Sequence, residues 1–339
     1  MIRTLFSARS AGAFILACSM LSVAPGLAQR PSGLRSIRSH RPSATQAATA
    51  TLPAAASYRF TVLDYPGTLE TAGFGINSGA ASSKTEIVGA PGSINDPGPV
   101  GYRGGFLMPY TKTSAGVTET YRAVNFPGTK QQAASGINDS GQIVGYYADS
   151  SNVIHGYMQS GGTFTTIDVP FSGAASTGAF GINNSGQIVG YWNDVSTSHG
   201  FLLSGGTYTS MDYPGAVFTI ANAINNLGDI VGIYSDTSGA YHGFLLSGGT
   251  YTSLDPPGST ATEAYGINDS GDIAGLYCLT SECAANLDTY QGFVLSGGTY
   301  GAVTIPGATS IAAIGINNKG TIVGVYYDSV GNHGFLAIP

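Results

Sequence analysis

Charged side chains are scarce in this 339-residue chain: Asp, Glu, Lys and Arg make up only 9% of it, against about a quarter of an ordinary globular domain. That scarcity excludes a coiled coil and argues against a helical bundle, which needs more charge and less Gly. Trp occurs once and Cys three times, too few for a small fold held by many disulfides. No apolar run approaches the ~20 residues of a membrane-spanning helix. Disorder does not follow from the missing charge, because 42% of residues are apolar. What abounds is Gly (50), Tyr (20) and Pro (16). Short β-branched and aromatic segments between frequent turns read as a large all-β protein.

The N-terminus reads as an address. Arg3 and Arg9 precede an apolar stretch from about Ala11 to Ala24, followed by Pro25-Gly26-Leu27-Ala28. A basic start, a short apolar run and a small-x-small end predict a signal peptide over 1–28, cleaved after Ala28. Cys18 sits one place off the spacing of a lipidation site and is expected to leave with it. Residues 29–57, rich in Ser, Ala and Pro with Arg30, Arg35, Arg38 and Arg41, predict a disordered tether. The expected destination is secreted or periplasmic, without a membrane span. Beyond residue 57 stand seven basic and nineteen acidic residues, a net of −12. That balance argues against a nucleic-acid partner.

One unit then recurs six times. An Ile-Asn pair places its Asn at Asn77, Asn138, Asn183, Asn225, Asn268 and Asn317, in steps of 61, 45, 42, 43 and 49 residues. After each comes a turn ending in Gly, then Ile-Val-Gly (Ile273-Ala274-Gly275 in the fifth copy). A Gly-aromatic pair follows, and most copies close with Ser-Gly-Gly-Thr-Tyr and Asp-x-Pro-Gly. Each unit therefore reads as four strands joined by hairpins. A period near 45 with four strands per unit predicts propeller blades. The chain opens on Tyr58–Gly67, which matches a fourth strand, and ends on His333–Ile338, which matches a third. A six-bladed β-propeller over 58–339 is expected, its N-terminal strand completing the last blade and removing the open edge.

The order Gly-Ile-Asn, Ile-Val-Gly, His-x-Phe resembles the HAF-type extracellular repeat. The His-x-aromatic elements are His155-Gly156-Tyr157, His199-Gly200-Phe201, His242-Gly243-Phe244 and His333-Gly334-Phe335, with Gly where the family name has Ala. The resemblance implies extracellular tandem repeats and carries no catalytic activity.

In such a ring the 1–2 and 3–4 hairpins share one face. The 2–3 and 4–1 connections, longer and irregular, share the other, where binding residues are expected. Four histidines each follow an Asp across a 2–3 hairpin: Asp149/His155, Asp194/His199, Asp236/His242 and Asp328/His333. Gly104 and Gln291 replace the His in the two blades that lack the pair. This joint presence and absence predicts structural Asp–His contacts. Metal is not expected, because one blade offers too few ligands. Asp64, Asp168, Asp212 and Asp255, before x-Pro, read as turn caps. Cys278 and Cys283 are expected to form a disulfide.

The expected channel mouth carries Glu70, Lys130, Gln132, Thr177, Thr219 and Glu263 as ligand-binding candidates. Two function classes follow. The first is an exported, non-catalytic binding scaffold, monomeric and without cofactor, that takes an extracellular glycan or protein. The second is a secreted propeller hydrolase or lyase using Glu70 and Glu263 as its acid–base pair.

Overall fold

The computed structural model describes residues 52–54, 57–68, 70–79, 85–91, 104–113, 116–129, 131–286 and 289–339. The repeats fold as six antiparallel sheets. Blade one comprises β2 (Thr71–Ile76), β3 (Thr85–Pro91), β4 (Gly105–Thr113), β5 (Gly116–Glu119) and β6 (Arg122–Val124). Blade two has β7 (Gln132–Ile137), β8 (Ile143–Ala148), β9 (Ile154–Ser160) and β10 (Thr163–Ile167). Blade three has β11 (Ser176–Ile182), β12 (Ile188–Asn193), β13 (Ser198–Ser204) and β14 (Thr207–Met211). Blade four has β15 (Phe218–Ile224), β16 (Ile230–Ser235), β17 (Tyr241–Ser247) and β18 (Thr250–Leu254). Blade five has β19 (Ala261–Ile267), β20 (Ile273–Cys278), β21 (Gln291–Ser296) and β22 (Thr299–Val303). Blade six has β23 (Ser310–Ile316), β24 (Ile322–Tyr327) and β25 (Asn332–Ile338).

Strand β1 (Arg59–Leu63) completes blade six, pairing antiparallel with β25 from Arg59 opposite Ile338 to Leu63 opposite Gly334. The ring is thus closed by its own first strand, as the sequence predicts. Blade one departs from the expected four strands. Its outer strand is split, β5 pairing with the far half of β4 and β6 with the near half. The described end of the expected tether also departs from disorder. Ala302 N donates to Pro53 O at 2.8 Å, and Leu52 packs on the blade-five core. The unpaired edge of β22 offers the backbone groups, and Leu52 gains burial there. The expected signal peptide lies outside the described residues.

Two sequence signatures turn out to be halves of one packing unit. The Gly of Ile-Val-Gly lies opposite the aromatic residue of strand three in every blade, as Gly232 opposite Phe244. A methyl group at Gly232 would strike the Ile220 carbonyl oxygen and the Phe244 ring. The ring therefore lies over bare backbone, and Phe244 is fully buried. Each innermost strand also carries a bulge, where Phe74, Ser135, Phe180, Asn222, Tyr265 and Ile314 drop out of register. These six residues line an axial cavity of about 90 Å³, which fits the use of bulges to re-aim side chains.

Candidate functional site on the loop-rich face

The tight-turn face is locked by two concentric hydrogen-bond rings. Each repeat Asn donates its Nδ2 to the backbone oxygen of the next repeat Asn, from Asn77 round to Asn317 and back to Asn77. The six bonds span 3.0–3.3 Å, and all six Asn are buried. In five of them Oδ1 also accepts the amides two and four residues on, as Asn225 does from Leu227 and Asp229. The following residues form a second ring, each backbone N–H donating to the next side chain through Ser78, Asp139, Asn184, Asn226, Asp269 and Asn318. Polar groups here are consumed by ring closure.

The opposite face is built differently. Each of the four His lies between two carboxylates. His155 Nδ1 is 3.0 Å from both Asp168 oxygens, and its Nε2 is 3.6 Å from Asp149 Oδ2. His199 lies 2.8 Å from Asp212 and 3.6 Å from Asp194. His242 meets Asp255 at 3.1 Å and Asp236 at 3.6 Å, while His333 meets Asp64 at 3.2 Å and Asp328 at 3.6 Å. The shorter contact in each triplet is with the Asp before x-Pro, so those four side chains hold the imidazole instead of capping their turn. The signal was present in the sequence: where the His is missing, Asn125 and Thr304 replace that Asp. In blade five Gln291 takes the vacated place and accepts from Tyr277 OH at 2.9 Å.

An aromatic residue of strand two backs each imidazole. Tyr147, Trp192, Tyr234 and Tyr326 stack on His155, His199, His242 and His333 with centroids 4.4–5.2 Å apart. The preceding blade supports the stack from behind: Tyr213 lies 3.7 Å from Tyr234 at 3°, and Phe126 lies 3.8 Å from Tyr147 at 10°. The 2–3 hairpin carboxylates are anchored by their own turns. The Val153 amide first of all holds Asp149 below the usual carboxylate range. The Ser196 hydroxyl does so for Asp194, the Ser238 hydroxyl for Asp236 and the Val330 amide for Asp328. Asp64, Asp168, Asp212 and Asp255 have side chains 37–58% exposed, and in three of the four triplets this is the more accessible partner. Among the described residues no cluster of three or more His, Cys, Asp or Glu is arranged to hold a metal ion.

Four of the expected channel-mouth residues are buried. Gln132, Thr177 and Thr219 are buried, and their side-chain oxygens accept the amides of Phe126, Val169 and Tyr213. They brace the x-Pro connections between blades from beneath. Glu70 is half-buried in a parallel bridge with Asn332. Glu263 is fully buried, so it presents no carboxyl at an open mouth. Lys130 lies outside the described residues. The Cys278–Cys283 disulfide is formed, with a short helix at Ser281–Asn286 beginning inside its loop. Such a bond fits an oxidising compartment, and no helix among the described residues is long and apolar enough to cross a membrane.

Fold and face together define a closed six-bladed propeller with one sealed face and one polar, loop-built face. No family model and no curated protein matches the chain. Solved structures do. AofleA from Arthrobotrys oligospora matches at 10% identity over 84% of this chain and 87% of its own, with a TM-score of 0.50. TolB from Acinetobacter baumannii matches at 12% identity over 75% of this chain and 63% of its own, with a TM-score of 0.51. A fucose-specific lectin from Aleuria aurantia is more distant, at 14% identity, 79% and 96% coverage and a TM-score of 0.45. Likenesses at such identities show the shared fold and nothing finer.

Proposed function

We propose that this chain is an exported, non-catalytic binding propeller whose loop-rich face recognises an extracellular glycan, and that its units are HAF-type repeats. The observation that carries this reading is the fourfold Asp–His–Asp arrangement on that face. Each copy offers a partly exposed carboxylate, held by imidazole on one side and free to accept hydroxyl hydrogen bonds on the other. Tyr147, Trp192 and Tyr234 add Thr166, Ser210 and Ser253 as hydrogen-bonded hydroxyl neighbours. A rigid frame that repeats one polar arrangement suits a multivalent, hydroxyl-rich ligand, because linked weak sites gain 10²–10⁴ in avidity. The basic, apolar and small-residue N-terminus supports export through a cleaved signal peptide over 1–28.

A glycan array probed with the exported chain tests the reading. Binding to a defined glycan set is expected, weakened at least tenfold by Asp212→Asn with Asp255→Asn, since each hydrogen bond to a charged group contributes ~1.5–3 kcal/mol. Leu227, 73% exposed on the tight-turn face, provides the control, and Leu227→Glu is expected to leave binding intact. An array without binders, or binding lost through Leu227→Glu alone, contradicts the proposal.

A further inference from the structure

On the innermost strand of blade five, Glu263 stands where the other blades carry Ala72, Ala133, Gly178, Ile220 and Ala312. It is the one acid in that layer and is 0% exposed. Its Oε2 accepts from Tyr265 OH, while Oε1 has no hydrogen-bond partner among the described residues. The seam between blades four and five closes over it, where Asn222 of β15 donates Nδ2 to Ala264 O at 2.8 Å. The titratable groups set against it are all phenols. They are Tyr265 on its own strand, Tyr241 at the head of β17, and Tyr290 ahead of β21, which acts on Tyr265. No Lys, Arg or His among the described residues pairs with it.

We propose that Glu263 is a proton-operated latch in this seam: neutral and closely packed in mildly acidic surroundings, charged and loosened in alkaline ones. An unpaired carboxylate in a dry interior is costly, so the group keeps its proton instead. Burial pushes its pKa up to about 7, against the opposing pull of the Tyr265 hydroxyl. Folding stability is then complete below the ordinary carboxyl value and falls as pH rises from there. The fall ends near the folded value, above which native and unfolded chains are both ionised.

The test is thermal melting of the whole chain from pH 4 to pH 8.5, for the wild type, Glu263→Gln and Glu263→Ala. Alanine already stands at this place in three sister blades, so the strand backbone accepts it. Relative to either variant, the wild-type Tm is expected to drop by on the order of 5 °C across that range. Any pH effect common to the three proteins cancels in the difference. Amide exchange in β17 and β19 should quicken above pH 7 in the wild type, beyond its intrinsic base catalysis, and not in Glu263→Gln. A difference in Tm that stays flat or grows with pH overturns the proposal. So does a Glu263 carboxyl carbon resonance that titrates near pH 4 in the wild-type protein.

Discussion

Single residues here serve neighbours a whole blade away. The amide of Asn225 donates to the Asn268 carbonyl of the next blade, while its Oδ1 satisfies two amides of its own turn. Replacing it by Ala strands buried donors and acceptors, which cost ~1–3 kcal/mol each. Asn225→Ala is therefore expected to lower stability by about 3 kcal/mol in chemical denaturation. Gly232→Ala should cost at least as much, because it drives a methyl into backbone and the Phe244 ring, and overpacking of this kind costs ~1–3 kcal/mol or more. His199 is a different case. Its imidazole hydrogen-bonds Asp212, lies 3.6 Å from Asp194 and stacks on Trp192, so His199→Ala is expected to lower Tm while glycan binding persists in weakened form. Unchanged Tm with binding abolished would assign His199 to ligand contact alone.

At the scale of strands and hairpins, much was legible and some was not. Turn chemistry and period delivered the blades, and the match between Tyr58–Gly67 and a fourth strand delivered the closure. The bulge at Tyr265 and its equivalents was hidden, because a bulge is a relation between two strands and leaves only a Gly behind, or Ala223 in blade four. That Gly has a reason: a Cβ at Gly136 would come within 2.5 Å of the Phe180 oxygen in the adjoining blade. Three of the mouth candidates are hidden for a similar cause. Gln132, Thr177 and Thr219 stand near the loop face in sequence, yet their positions on the innermost strand turn them under the x-Pro connections. Which carboxylate each His prefers was legible in principle, through Asn125 and Thr304. The Cys278–Cys283 bond closes a very short loop, and Cys283→Ser with Cys278→Ser is expected to lower stability by roughly 2 kcal/mol.

For the whole molecule, closure by β1 and two rings of side chains leave one face with its polar groups spent and the other with carboxylates to offer. The acid limb of stability follows from those carboxylates. Asp149, Asp194, Asp236 and Asp328 are held below their ordinary range. Their contribution is present above the ordinary carboxyl pKa and is lost as pH falls through the lower, folded values. Tm is thus expected to decline below about pH 4, less steeply in Asp194→Asn than in the wild type. Deleting residues 59–63 should leave β25 unpaired and yield an aggregating, non-cooperative chain, seen as loss of a sharp melting transition.

The most direct measurement is the hydrogen-exchange footprint of a glycan retained by the array. Protection is expected in the 2–3 hairpins 149–154, 194–198 and 236–241 and in the Asp-x-Pro-Gly connections, with the Asn rings unchanged. Protection confined to the turns at 138–142, 183–187 and 225–229 would place the ligand on the sealed face and contradict the account.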